Sequence, residues 1–369
     1  MKKNSSLVQV LVFLVFIGLF CALHLALPDR SLSGRESLQT LPRFTASSLF
    51  SGRLTKQLED YFNDQFPFRE RWLTLKAGAE LAIGKDENNG VFLCEGETLI
   101  EPFAAPQQSA LDRRVEAVNT LNRRAGVPVY FALIPSAAEI RADLLPEGAP
   151  NDSQREVIRY CYDRVDAAAV DIASALAAHA DEELYYRTDH HWTTRGAYYG
   201  YAAILRAMGQ APVSLDAYTP EVVTEAFYGT AWSSSSFSWV RPDRIARYVT
   251  HGDAVITNYP SGTPVPGSLY DESYLSATDK YSFFYGGNTP LLTVATGNDG
   301  PKLLILRDSY MDSMSPFLFP HFSEIHILDL RYYKTSLAEY IEANGFDQIL
   351  VCYSVKNFVE DMNLFLLAN

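Results

Sequence analysis

The sequence is short of cysteine, of histidine and of positive charge. Four cysteines, Cys21, Cys94, Cys161 and Cys352, occur in 369 residues, and the first sits inside an apolar run. The other three have no Cys-x-x-Cys spacing, which argues against a disulfide framework and a structural zinc site, so buried free thiols are expected. There are seven histidines, with no HExxH pair and no second ligand cluster, so no metal is assigned. Lys+Arg number 31 against 44 Asp+Glu, a formal net charge of -13. That balance disfavours nonspecific attraction to nucleic acid or anionic lipid. No nucleic-acid partner and no cofactor are expected. What remains, 47% hydrophobic and 20% charged, describes an ordinary globular protein.

One long hydrophobic run is present. After Lys2 and Lys3, LVQVLVFLVFIGLFCALHLAL fills residues 7–27 and stops at Pro28. About 20 apolar residues suffice to cross a bilayer as a helix, and the lysines predict that residues 1–6 are a cytoplasmic tail. A cleaved signal peptide is the competing reading, but Leu25, Ala26 and Leu27 lack its small-x-small site. Phe20 before Cys21 argues against lipoprotein cleavage. An uncleaved anchor at 7–27 is favoured, and either reading exports the rest of the chain.

Residues 28–53 are polar and without periodicity, as expected of a tether. Residues 54–107 read as an accessory region, with two short helices interrupted at Pro67 and a hairpin over 90–100. From residue 108 helices and strands alternate. A helix closes at Gly126, Val127–Pro135 is a buried strand, and the alanine-rich segment 153–180 reads as one long amphipathic helix. Residues 210–300 resist assignment and are expected to be an irregular insertion, a lid or small β-rich region. The last 70 residues give strand, helix, strand, helix, strand, helix, which predicts a parallel sheet with helices on both faces.

Two stretches carry the chemistry. In such sheets ligands bind beyond the carboxyl ends of strands, and Arg307, Asp308, Ser309 and Tyr310 follow the strand LLIL. A serine on that turn could be an activated nucleophile, with the first N–H groups of the following helix pointing at its ligand. The plain alternative is a helix cap supplied by Asp308 or Ser309. The stretch RTDHHWTTRGAYYGY at 187–201 offers Asp189 and His191 on one side of an extended loop, with His190 pointing away and Trp192 packing nearby. An orienting acid and a general base are one reading. A loop capped by Thr193 or Thr194, and a zinc site from Asp189, His190 and His191, are the others.

These stretches, together with VYFALIPSAAEI, FYGT at 227–230, YSFFYGGNTPL at 281–291 and LRDSYMDSMSPFLFPHFSEIHILDLRYY, resemble the bacterial DHHW protein family. The family is similar to the SGNH-hydrolase-like proteins that O-acetylate alginate and other exopolysaccharides in the periplasm. There a TDxHW motif precedes the serine block, a circular permutation of the usual SGNH order. The resemblance implies an SGNH-like (flavodoxin-like) α/β domain over 108–369 with permuted motif order. It implies Ser309 as nucleophile, His191 as base and Asp189 as acid. For the oxyanion or substrate it offers Arg331, Asn357 and Asn288, with Tyr310, Trp192 and His190 nearby. Two departures stand out: RDS replaces GDS, and the asparagine after the third strand is displaced to Asn357.

The expected function is acyl transfer to or from a cell-envelope or secreted glycan, by an O-acetyltransferase or acetylesterase. The alternative is a noncatalytic glycan-binding or assembly protein that keeps the fold. A transferase needs an acyl source on the outer face, which calls for a membrane acyltransferase partner.

Overall fold

The computed structural model describes residues 2–30, 32–33, 36–249 and 252–368. Ser31, Gly34 and Arg35 of the expected tether, and Thr250 and His251 of the expected insertion, lie outside the described residues. The chain divides into two compact units, residues 1–88 with 236–238, and residues 89–235 with 239–369.

The first unit is helical. Helix α1 (Lys2–Ala26) contains the run Leu7–Ala26, 20 residues of mean hydropathy 2.5. The tether region is not wholly irregular, because α2 (Ala46–Phe50) forms within it. Its first turn is held by a capping box, in which Thr45 and Ser48 exchange side-chain and backbone bonds. Gly52, at φ 72°, turns the chain into α3 (Arg53–Asp64). Pro67 then separates α3 from α4 (Arg69–Ala82), and Phe68 takes the left-handed φ of 61° at the turn.

In the second unit the strands β1 (Val91–Cys94) and β2 (Thr98–Ile100) form the expected antiparallel hairpin. Helix α5 (Gln108–Ala125) ends at Gly126 in the left-handed conformation, and β3 (Val129–Ile134) follows. The segment 153–180 is not one helix. It comprises α6 (Gln154–Tyr162), β4 (Ala168–Val170) and α7 (Ile172–Ala177). The break has local causes: Asn119 binds the backbone of Arg164 and Asp166, β4 pairs in parallel with β3, and Asp171 caps α7. Helix α8 (Thr194–Ala207) starts where Thr193 accepts the Gly196 N–H.

Beyond it β5 (Glu221–Phe227) and β6 (Asp243–Arg247) pair as a two-stranded ribbon. The next strands are β7 (Val255–Asn258), β8 (Val265–Pro266), β9 (Leu291–Ala295), β10 (Lys302–Arg307) and β11 (Glu324–Leu328). Helix α9 (Leu337–Asn344), β12 (Gln348–Ser354) and α10 (Val355–Glu360) follow, and then a 3-10 turn over Leu364–Ala368.

The main sheet has eight strands in the order β8-β7-β9-β11-β10-β12-β3-β4. From β11 to β4 the neighbours are parallel, whereas β9, β7 and β8 join antiparallel. The expected parallel sheet is therefore mixed, and its antiparallel edge comes from residues 255–295, which read as an irregular insertion. Successive residues of each central strand face opposite layers, as a period of two requires. Ile305, Ile327, Leu350 and Ala132 pack toward α7 and α8. Leu304, Leu328, Val351 and Phe131 pack toward α5, α6, α9 and α10. With apolar cover on both faces, the polar groups gather beyond the carboxyl ends of β10, β12 and β3.

Candidate active site

Residues 184–193 form a tight loop. Tyr185 and Trp192 make an antiparallel bridge, Tyr186 N–H donates to His191 O, and Thr193 N–H donates to Leu184 O. The Trp192 ring is fully buried, and its indole N–H donates to Tyr310 O at 2.9 Å. This anchors the loop to the residue after Ser309. Glycines on α8 make room for the ring: a Cβ at Gly200 would lie 2.7 Å from Trp192 Cη2.

At the loop's tip, Asp189, His191 and Ser309 form a chain of hydrogen bonds. His191 Nδ1 is 2.5 Å from Asp189 Oδ1, and His191 Nε2 is 2.8 Å from Ser309 Oγ. An ionised carboxylate only accepts, so Nδ1 carries the proton and Nε2 is left to accept from the serine. Such a chain can pass a proton from Oγ to the imidazole while the carboxylate holds the ring and its charge. Asp189 and His191 are buried, whereas Ser309 is half-buried. The Tyr281 ring stacks on His191 with centroids 3.8 Å apart and planes 9° apart, and its hydroxyl donates to Ser309 O at 3.1 Å.

The second oxygen of Asp189 is held by Thr230, whose N–H donates at 2.8 Å and whose hydroxyl donates at 3.1 Å. That hydroxyl in turn takes the Nδ1 proton of His190 at 2.6 Å. His190 does not point away. Its ring lies beside that of His191, centroids 3.9 Å apart, because residues 187–191 bend rather than extend and strand alternation does not apply. Burial, with His191 adjacent, pushes the His190 pKa down to about 4, so it is neutral near pH 7. Gly229 lets Thr230 come this close, since a Cβ there would lie 2.1 Å from Asp189 Cβ.

Both histidines lie beside Asp189, in the arrangement a zinc site would need. Ligand atoms of all three lie within 4.8 Å of one another. Hydrogen bonds to Asp189, Ser309 and Thr230 nevertheless occupy three of the four ring nitrogens.

The turn that carries Ser309 is built on Asp308, which is fully buried. Its Oδ2 accepts from Ser354 N–H at 2.8 Å, Ser354 Oγ–H at 2.7 Å and Asn357 Nδ2–H at 2.8 Å, while Oδ1 accepts from Tyr310 N–H at 3.1 Å. Asp308 thus ties the end of β10 to the end of β12. Tyr310 and Met311 spend their N–H groups on Asp308, so these first amides do not point at a ligand.

Arg307, where GDS would have glycine, is the last residue of β10, and its buried guanidinium lies 3.0 Å from Asp312 and 3.9 Å from Asp329. Burial pushes the Asp312 carboxyl up to about 6 against the pull of Arg307. Arg331 is held by Asp329 at 2.7 Å, and Asn288 Oδ1 faces both Arg307 at 3.4 Å and Arg331 at 3.5 Å. Tyr310 donates its hydroxyl to His190 O. A cleft of about 240 Å³ beside His190 is lined by Asp189, Tyr310, Asn357, Ser136 and the ion pair Glu101–Lys356.

A family model described as DHHW protein matches residues 87–328, more than half of the chain. The chain belongs to the DHHW protein family. Among its relatives is a probable alginate O-acetylase AlgJ from Azotobacter vinelandii, 23% identical over 329 residues, covering 80% of this chain and 82% of that one. A DHHW family protein from Eubacterium siraeum has a crystal structure that superposes with a TM-score of 0.67 at 26% identity, covering 77% of this chain and 96% of that one. PatB1 of Bacillus cereus, solved with a sulfonyl adduct, superposes at 0.64 with 21% identity over 76% and 98% of the two chains, a likeness of fold.

Neither Thr230 nor Tyr281 is assigned a role by the sequence, and Asp308 enters there as a helix-cap candidate alone, whereas its carboxylate also holds the start of α10. FYGT and YSFFYGG were visible as blocks, but nothing in them said which atom would meet Asp189 or His191.

Proposed function

We propose that this DHHW protein is an extracytoplasmic serine acyl-transfer enzyme. It moves an acetyl group onto or off a cell-envelope or secreted polysaccharide. The observation that carries this reading is the chain Asp189–His191–Ser309 at 2.5 and 2.8 Å. The relative named as a probable alginate O-acetylase supports the choice of acyl group and of a glycan partner.

Ser309 Oγ attacks the donor's carbonyl carbon as its proton passes to His191 Nε2. The tetrahedral oxyanion collapses, the bond to the leaving oxygen breaks, and His191 returns the proton to that oxygen. The acyl-serine is then attacked by a sugar hydroxyl, or by water, with His191 again taking the proton; the bond from the acyl carbon to Ser309 Oγ breaks, and His191 returns that proton to Oγ as the acylated sugar or free acid leaves. The oxyanion falls to the Ser309 N–H and to the Asn288 amide, whose carbonyl oxygen is turned to Arg307 and Arg331. Arg331, Asn357 and Tyr310 act as positioning groups, since each is bonded to Asp329, Asp308 or His190.

Residues 108–369 form the SGNH-like domain in this reading. Counting the parallel strands from β10 through β12 and then β3 and β4 gives the spatial order 2-1-3-4-5. That flavodoxin-like order supports a circular permutation, with Ser309 at the switch point between β10 and β12. Helix α1 is an uncleaved anchor with the body on the outer face, and a membrane acyltransferase partner supplies the acyl group.

Incubation of the protein with an activated acetyl ester tests the proposal. The expected result is an acetyl adduct on Ser309 and a loss of turnover of about a thousandfold or more in Ser309→Ala. No adduct, together with equal turnover by the variant, would sink it.

A further inference from the structure

We propose that the turn Phe66–Pro67–Phe68 dips into the outer leaflet of the bilayer beside α1 and lays the start of α4 on the membrane. This rests on the reading of α1 as a retained anchor. Phe20 lies six residues before the end of α1, about 9 Å along the helix axis at 1.5 Å per residue. The headgroup layer on each side of the hydrocarbon core is about 5–8 Å thick. A ring that touches Phe20 is therefore at or below the hydrocarbon boundary. Phe66 stacks on Phe20 with centroids 5.2 Å apart and planes 5° apart, and Trp72 meets the same ring at 5.8 Å. Tyr61 and Phe62, at the end of α3, pack on His24 at 5.3 and 5.0 Å, one turn nearer the water. Helix α3 thus descends along α1 to the turn, and Trp72 holds the first residues of α4 at the same level.

The side chains at this level suit lipid. Phe62, Phe66, Phe68 and Trp72 are 52%, 37%, 47% and 40% exposed, an apolar patch that water disfavours and a membrane interface accepts. Phe68 holds a left-handed φ of 61°, a costly conformation for a bulky residue, which keeps its ring outward at the tip. The acid nearest the tip is neutralised: Glu70 pairs with Arg30 at 2.6 Å, and the same guanidinium takes the Asp64 carbonyl at 2.8 Å. The rings carry the insertion, and Arg71, whose guanidinium lies 5.7 Å from the centroid of the Phe68 ring, can reach the headgroup phosphates that a zwitterionic bilayer presents, so a zwitterionic bilayer suffices as the partner.

The full-length chain reconstituted in phosphatidylcholine vesicles tests this, using a fraction of lipid with a photoactivatable group in the acyl chain. Lipid adducts are expected on α1 and on the tryptic peptides Gln57–Arg69, which carries the turn, and Trp72–Lys76. A nitroxide on Phe68→Cys, with Cys21→Ala, should be relaxed more by oxygen than by a water-soluble nickel chelate, and the reverse should hold for Val222→Cys. Adducts on α1 alone, with the nickel chelate reaching position 68 as freely as position 222, would overturn the insertion and leave the anchor standing. A mature protein lacking residues 7–27 by mass would overturn the anchor, and this inference with it. The adduct arm uses the unaltered chain, so a misfolded variant leaves the test intact.

Discussion

His190 and His191 are neighbours with the same side chain and opposite tasks, and their hydrogen bonds explain why. His191 stands between a carboxylate and a hydroxyl, so one nitrogen donates and the other is left as a base. His190 gives its proton to Thr230, which braces the far oxygen of Asp189. A neutral His190 suits that task, and burial lowers its pKa to about 4. Asp189, His191, Glu101 and Lys356 are the charged or titratable groups that act on it. The consequence for stability has a definite sign. Between pH 6.5 and about 4 the unfolded chain binds a proton at this position that the native chain refuses. Stability contributed by neutral His190 is therefore present above pH 6.5 and lost on acidification. Between about pH 7.5 and about pH 5 the loss is on the order of 2 kcal/mol. His190→Gln keeps a donor for Thr230 and removes the titration. Calorimetry at the two pH values should show a smaller acid-induced fall in Tm for the variant, and an identical fall would refute the assignment.

Between elements, Asp308 is the knot that holds two strand ends in register. Its Oδ2 receives three donors from Ser354 and Asn357, one turn of chain that begins α10. Asp308→Asn would turn an amide toward those donors, or swing it toward the Tyr310 N–H, and either choice leaves buried donors unpaired. The expected cost is about 2–4 kcal/mol. Acylation of Ser309 should slow by about tenfold or more, because a shift of an ångström spoils the attack geometry. Measuring Tm and the rate of adduct formation checks both, and unchanged values would remove Asp308 from this role. Asp308 also shows where the sequence was legible. KLLIL, EIHIL and QILVCYS are runs long and apolar enough to be seen as strands, and the turn after KLLIL was found from pattern alone. The three donors come from 46 and 49 residues away, and no local pattern records such a partner. The same limit explains segment 153–180: alanines give little periodicity, and β4 exists because β3 offers it an edge. Strand β9 was hidden for another reason, since direction within a sheet is set by its neighbour β11 and leaves no mark on LLTVA.

At the scale of the whole molecule, the formal charge of -13 bears on which glycans can approach the site. The cleft beside His190 does not offset it. Of the residues lining it, Lys356 is the lone cation if His190 is neutral, and it is paired with Glu101 at 2.6 Å while Asp189 adds a further negative charge. Arg331 is likewise bound to Asp329 at 2.7 Å. An acceptor with a carboxylate on each sugar therefore meets repulsion from the body and finds no unpaired cation among the described residues that line the cleft. Repulsion of that kind is screened by salt: the Debye length shrinks from about 30 Å at 0.01 M to about 8 Å at 0.15 M. For a polyanionic glycan kcat/KM should rise several-fold over that range, through KM and the encounter rate. For a neutral glycan it should stay within about twofold. Initial rates for one glycan of each kind, at matched pH and varied sodium chloride, decide the matter. If the anionic glycan loses rate as salt is added, attraction dominates instead, and the site must recruit its cations by breaking the Glu101–Lys356 pair when the substrate binds.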